Sequence, residues 1–193
     1  MPQHSRRPGQ GPLGRTFNRI LGVSDSATDT GDMAFDRAQL RAYIDQKLQL
    51  AEGEWFRWMK LDGAADALME RLDTVGDGTV TWDEFQAFRS EILGAMAPDL
   101  GEEASPEQLE DAAAVSFEGT DLDQDGEVTL DEAQSRALAS LPPEAENRDM
   151  VAQLGARLVL DAVDTDQREM PVAERRLSRT EWVTAAQELK KPA

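Results

Sequence analysis

The chain has 193 residues, which is long enough for one domain or two small lobes with a real hydrophobic core. Its formal net charge of -18 argues against nucleic acid and anionic membrane surfaces as partners. Cysteine is absent, which excludes disulfides, zinc thiolate sites and a thiol nucleophile.

The first residues differ in composition from the rest of the chain. Residues 1–14 are rich in Gly, Pro, Gln and Arg, and residues 1–20 contain arginines but no acid. We therefore expect residues 1–14 to form a disordered basic tail. The start lacks the apolar stretch of a secretory signal, and no later run approaches the roughly 20 apolar residues of a membrane span. We expect a cytoplasmic protein that does not bind membranes.

One pattern recurs four times after the tail: an apolar helix, a polar loop, an apolar residue near the end of the loop, and a second apolar helix. The residues that close the four loops are Gln39, Glu84, Glu132 and Glu181, and their spacing is nearly regular. This regularity predicts four helix-loop-helix units. The first loop, if it begins at Asp25, has extra residues and ends in the neutral Gln39. We expect it to support its neighbour and not to bind a cation.

The second loop carries an incomplete set of oxygen ligands for a hard divalent cation. Val75 stands at the third position, where an oxygen is needed, and a water could fill the gap. We expect affinity lower than that of a complete loop by roughly tenfold or more, about 1.4 kcal/mol upward. The candidate ligands are the side chains of Asp73, Asp77, Thr81 and Glu84 and the backbone carbonyl of Thr79.

Residues 97–104 read as a linker between two pairs of units. Ser105 and Gln108 form a capping box with Pro106 at the first helical position, which predicts that a helix starts there. The first pair then spans residues 15–96 and the second pair spans residues 105–190.

The third loop is complete. Residues 121–132 read Asp-Leu-Asp-Gln-Asp-Gly-Glu-Val-Thr-Leu-Asp-Glu, which is the pattern of an EF-hand calcium loop. Gly126 permits the sharp turn that this loop needs, and Val128 is expected in a short strand shared with a partner loop. The predicted ligands of Ca²⁺ are the side chains of Asp121, Asp123 and Asp125, the carbonyl of Glu127, Thr129 directly or through water, and both oxygens of Glu132.

The fourth loop runs from Asp164 to Glu181 and is longer than twelve residues. Arg168 stands where an acid is expected, and Asp166 alone fills a second ligand position in register. Further arginines and a proline follow in the insertion, so we expect this loop to repel calcium and to serve as structural support.

Four such units with long insertions, of which the third is complete, resemble the sarcoplasmic calcium-binding proteins and their bacterial relative calerythrin. The resemblance covers residues 17–190. It implies an all-α fold in which four EF-hand units, in two pairs, form one compact body, and it implies a role as a calcium buffer or carrier. The chain departs from the members of that family with more complete loops at Val75 and in the first and fourth loops.

The leading hypothesis is a monomeric calcium buffer or carrier with Ca²⁺ as its ligand. The alternative is a calcium sensor that exposes an apolar surface to a protein target, which commonly requires clustered methionines. The methionines of this chain are scattered, which favours a buffer. Enzymatic activity is not expected, because the chain offers only His4, in the predicted tail, and no cysteine as a nucleophile or base beyond its many carboxylates.

Overall fold

Helices make up most of the described chain, and four short strands form two small antiparallel sheets. The structure is a computed structural model that describes residues 11–49, 54–87, 89–97, 100, 104–144 and 148–190; of residues 54–60, 91 and 95 it describes the backbone alone. This mainly helical architecture agrees with the predicted class. Within the described ranges, no helix is both long and apolar enough to cross a membrane.

The first two helix-loop-helix units follow one another along the chain, and each contains a three-residue strand at the end of its loop. The first consists of α1 (Pro12–Leu21), β1 (Ala34–Asp36) and α2 (Arg37–Tyr43), which continues as a π-helical turn (Ile44–Leu48). The second consists of α3 (Glu54–Leu72), β2 (Thr79–Thr81), α4 (Trp82–Ala87) and α5 (Arg89–Met96).

The third and fourth units repeat this order. The third consists of α6 (Pro106–Thr120), β3 (Glu127–Thr129) and α7 (Leu130–Ser140). The fourth consists of α8 (Arg148–Val163), a short 3-10 turn (Val172–Glu174), β4 (Arg176–Ser178) and α9 (Arg179–Lys190). Ser105 caps α6 with Gln108 in a capping box, as predicted, and Pro106 is its first residue. Most of the predicted linker 97–104 lies outside the described residues.

Each sheet joins the loops of two consecutive units. β1 pairs with β2, with Phe35 opposite Val80, and β3 pairs with β4, with Val128 opposite Leu177. All four of these side chains are fully buried. The prediction that Val128 lies in a strand shared with a partner loop is confirmed. The sheets therefore hold the first loop beside the second, and the third beside the fourth.

Aromatic side chains fill the core of the first pair of units. The ring of Phe17 lies 5.6 Å from that of Phe35, 5.2 Å from that of Trp82 and 5.4 Å from that of Phe85, measured between centroids. Tilted and edge-on pairs of this kind contribute about 0.5–1.5 kcal/mol each beyond the area they bury. These contacts pack α1, β1 and α4 against one another.

The two pairs of units share one continuous hydrophobic core. On α9, the indole Nε1 of Trp182 donates a hydrogen bond of 3.2 Å to the carbonyl oxygen of Met96 at the end of α5. The same indole packs edge-on against Phe117 of α6, at 6.1 Å between ring centroids. Trp182 therefore contacts both pairs, and α1 adds further contacts with α8 and α9.

The N-terminal boundary requires a correction. Residues 1–14 were expected to form a disordered tail, but residues 12–14 belong to α1, and Leu13 is buried. Pro12 starts the helix because its fixed backbone angle suits the first helical turn. Residues 1–10 lie outside the described residues.

Candidate metal centres

The third loop is built by helix caps and a tight turn. Its backbone reverses at Gln124 and Gly126, whose φ angles are 60° and 90°, in the left-handed region that glycine adopts at no steric cost. Thr129 then caps α7, and its capping box draws the side chain of Glu132 back toward the loop. The local sequence thereby directs the last carboxylate of the loop toward its start.

Three carboxylates converge in this loop. One oxygen from each of Asp121, Asp123 and Glu132 lies within 4.8 Å of the others. Oxygens bound to a single calcium ion at 2.3–2.6 Å are at most about 5 Å apart, so the separation suits that ion. Asp121 and Glu132 are buried, whereas Asp123 is exposed to solvent. The donor set is all oxygen and fits a hard divalent cation.

Backbone amides orient these carboxylates. Asp121 accepts hydrogen bonds from the amides of Asp125 and Gly126, at 3.2 and 2.9 Å. Asp125 is not in the converging group, although its Oδ1 accepts a bond of 2.9 Å from the amide of Glu127. The side chain of Glu127 is exposed, which is compatible with the prediction that its carbonyl, and not its carboxylate, is the ligand.

Glu132 is held as a carboxylate. Partial burial pushes its pKa upward, but hydrogen bonds from Thr129 and from the amides of Leu122 and Asp123 outweigh this effect, and the pKa is lowered. The shortest of these bonds joins the amide of Leu122 to Oε1 at 2.7 Å. The charged form that a cation requires is therefore favoured.

The second loop reproduces this arrangement in part. Glu84 accepts bonds from the amides of Thr74 and Thr81, at 3.1 and 2.9 Å, just as Glu132 does in the third loop. Burial pushes the pKa of Glu84 upward, but the hydrogen bonds, chiefly those from Thr81, lower it overall. Asp73 caps the turn by accepting bonds from the amides of Gly76 and Gly78.

The third position of the second loop offers no oxygen from a side chain. Val75 stands there with 76% of its surface exposed. Thr79 and Thr81 occupy β2, and the carboxylate of Asp77 accepts bonds from the amide and hydroxyl of Thr79. Among the described residues, no group of three acids converges in this loop as it does in the third. The predicted ligands of the second loop therefore lie in the same loop, but their carboxylates converge less closely than those of the third loop.

The fourth loop gathers three carboxylates that the sequence pattern had discounted. Oxygens of Asp164, Asp166 and Glu181 lie within 4.8 Å of one another. Glu181 accepts bonds from the amides of Thr165 and Ser178, at 3.1 and 3.0 Å, which is the arrangement of Glu132 again. The inserted residues form a short 3-10 turn before β4 and do not prevent the two ends of the loop from meeting.

A buried arginine lies beside this cluster. Nε of Arg175 is 3.4 Å from Oδ2 of Asp164, and Nη1 of Arg175 is 3.0 Å from Oδ1 of Asp161. Burial raises the pKa of Asp164, whose side chain is fully inaccessible to solvent. The guanidinium supplies positive charge beside these carboxylates, so the cluster is partly neutralised from within the chain.

The first loop is engaged in ion pairs. The carboxylate of Asp25 lies 2.8 Å from Nη2 of Arg19 and 3.0 Å from Nη1 of Arg168 in the fourth loop. Gln39 forms a capping box with Asp36 at the start of α2. The first loop therefore contacts the fourth loop through an ion pair.

The sequence-based prediction missed a buried network centred on Asp161. This side chain is 1% exposed. It forms ion pairs with Arg19 and Arg175 and accepts a hydrogen bond from the hydroxyl of Tyr43. One signal was available: Asp161 is a single charge within the apolar run Leu158–Val163 of α8, and such a charge is seldom buried without a partner.

Comparison with models of known protein families gives no match, and comparison with curated proteins gives none either. The case for a function therefore depends on the loops themselves.

Proposed function

We propose that this chain is a calcium-binding protein whose principal site is an EF-hand loop at residues 121–132. The observation that carries the proposal is the convergence of Asp121, Asp123 and Glu132 in a loop where every ligand position holds an oxygen. The carboxylate of Asp125, the carbonyl of Glu127 and the hydroxyl of Thr129 complete the set.

Electrostatics favours a bound cation at this site. Carboxylates that share one centre repel each other unless a proton or a cation intervenes. Hydrogen bonds keep the pKa of Glu132 low, so protonation does not relieve the repulsion near neutral pH. A divalent cation would supply the missing positive charge, and the net charge of -18 adds a general attraction for cations.

The loop at residues 73–84 is proposed as a second, weaker site. Its Glu84 accepts bonds from backbone amides as Glu132 does, and Asp73 and Asp77 are the further candidate carboxylate ligands. Because the side chain of Val75 supplies no oxygen, we expect a water to fill that position and the affinity to be lower by about tenfold or more.

We assign the protein to calcium buffers or carriers on the distribution of its methionines. A sensor commonly opens a methionine-rich groove when it binds calcium. Here Met96 is fully buried, whereas Met33 and Met170 are partly exposed in the first and fourth loops. The fluorescence of a dye that binds exposed apolar surface should change little when calcium is added. A steep rise would identify a sensor instead.

Calorimetric titration of Glu132→Gln tests the principal site. The amide retains the size of the side chain but cannot provide two charged oxygens, so the tightest binding event should weaken by at least about tenfold. Glu118→Gln is the matched control, because Glu118 is exposed on α6 outside the loop. Circular dichroism should show unchanged helix content in both variants. High-affinity heat that persists in Glu132→Gln would refute the assignment.

A further inference from the structure

An apolar cavity of about 500 Å³ lies between the two pairs of units. Helices α3, α5, α7, α8 and α9 contribute to its wall, with Leu68, Ile92, Ala137, Leu158 and Trp182 among the lining residues. The volume falls within the range of about 300–1,000 Å³ that is typical of small-molecule sites. None of the predicted metal ligands lines it.

Among the described residues, the charges that line the cavity are opposite in sign to the net charge of the protein. Arg71 at the end of α3 and Arg136 on α7 both line it, and both are exposed to solvent. No Asp or Glu occurs among the lining residues that the structure describes, although acids far outnumber bases in the chain. An apolar interior beside two guanidinium groups is complementary to a molecule with an apolar body and an anionic head.

The volume admits a single flexible hydrocarbon chain. An amphipathic helix would insert only the side chains of one face, spread over at least two turns. Both occupants are apolar, and the pair of guanidinium groups favours the one that carries an anionic head.

We propose that this cavity binds a free fatty acid, with the hydrocarbon chain among the apolar side chains and the carboxylate at Arg71 and Arg136. A guanidinium group presents its N–H donors in a planar fork that matches a carboxylate. The inference does not depend on calcium binding, because it uses a different set of residues.

Calorimetric titration with saturated fatty acids of increasing length, below their micellar concentrations, tests the proposal. The titrations are done in EDTA, because calcium precipitates fatty acids and because the outcome is then independent of the metal sites. We expect one saturable site whose Kd falls by about fourfold for each added methylene until the cavity is full. Partition that does not saturate at any chain length would overturn the proposal.

The head group provides a second test. Dodecanoate should bind at least tenfold more tightly than dodecyltrimethylammonium, despite the negative charge of the protein. In the double variant Arg71→Gln, Arg136→Gln this preference should disappear, while the dependence on chain length remains. If the cationic amphiphile binds wild-type protein as tightly as dodecanoate does, the arginines do not select the ligand and the proposal is wrong.

Gly155 on α8 offers a way to close the cavity without harm to the fold. It lines the cavity, and a Cβ atom built there meets no atom within 4 Å. Leucine is also a better helix former than glycine, so Gly155→Leu should fold. We expect this variant to weaken dodecanoate binding by at least tenfold.

Gly119→Leu is the matched control, because Gly119 is an exposed glycine of α6 with the same free space and does not line the cavity. It should bind dodecanoate as wild-type protein does. Equal binding by Gly155→Leu and wild-type protein would overturn the proposal. So would the binding of an amphipathic helical peptide that Gly155→Leu blocks, if dodecanoate itself does not bind, because the cavity would then belong to a protein partner.

Discussion

The hydroxyl of Tyr43 donates a hydrogen bond of 2.6 Å to the carboxylate of Asp161, and this bond joins the first helix-loop-helix unit to the fourth. Asp161 also lies 2.8 Å from Nη1 of Arg19 and 3.0 Å from Nη1 of Arg175. Burial and the charge of Asp161 raise the pKa of Tyr43 well above its ordinary value, so the hydroxyl keeps its proton. Because all these groups are buried, the free energy of each depends on the presence of the others.

Asp161→Asn should destabilise the protein strongly. The substitution preserves the shape of the side chain but leaves Arg19 and Arg175 with a buried positive charge that is less well compensated. We expect the free energy of unfolding to fall by about 3 kcal/mol, measured by urea denaturation in EDTA. Glu118→Gln, a neutralisation on the surface of α6, should change it by less than about 0.5 kcal/mol. Equal stability of the two variants would contradict the importance of the network.

The contribution of Asp161 should depend on pH in a defined direction. Burial pushes its pKa upward, but Arg19, Tyr43 and Arg175 outweigh this, and the pKa in the folded state is lowered. A carboxyl with a depressed pKa contributes stability above the unfolded value of about 3.9 and loses it as the pH falls further. The stability difference between wild-type protein and Asp161→Asn should therefore be constant from about pH 5 to 7 and shrink below about pH 4. Urea denaturation over this range measures it, and a difference that grows in acid would be the wrong sign.

Val75→Asp should strengthen the second loop. The side chain is exposed, so a carboxylate can be introduced without a desolvation cost, and it would supply the oxygen that the third position lacks. We expect calcium affinity at this loop to rise by at least about tenfold in a calorimetric titration. Val115→Asp makes the same change at an exposed position of α6 and should leave the binding heats unaltered. If both variants bind alike, Val75 does not occupy a ligand position.

Glu181→Gln addresses the fourth loop. Although Asp164, Asp166 and Glu181 converge, Arg175 already places a positive charge beside Asp164, and a calcium ion would have to approach against it. We expect the number of calcium ions bound by this variant to equal that of wild-type protein in a calorimetric titration. Glu174→Gln, at an exposed position of the same loop, is the control. The loss of one binding event in Glu181→Gln alone would show that the fourth loop binds calcium in spite of the arginine.

The strands and caps of this protein could be predicted because they depend on residues close together in sequence. The apolar residue near the end of each loop predicted that Val128 would lie in a strand shared with a partner loop, and Leu177 is its partner. The capping box at Ser105 set the start of α6. The tail was misjudged because residues 12–14 are ordered by packing of Leu13 into a distant core, which local composition does not report.

The sequence by itself determined where the four units lie and that the third loop holds an oxygen-bearing residue at every candidate ligand position, since both depend on spacing within about a dozen residues. Only the tertiary structure decided that Asp25 pairs with Arg168 and that Arg175 lies beside Asp164 in the fourth loop. It also decided that Asp161 contacts Tyr43 and two arginines. Such contacts join residues far apart in the chain. Charge types alone do not specify these partners, because folding brings them within a few ångströms of one another only when the helices pack.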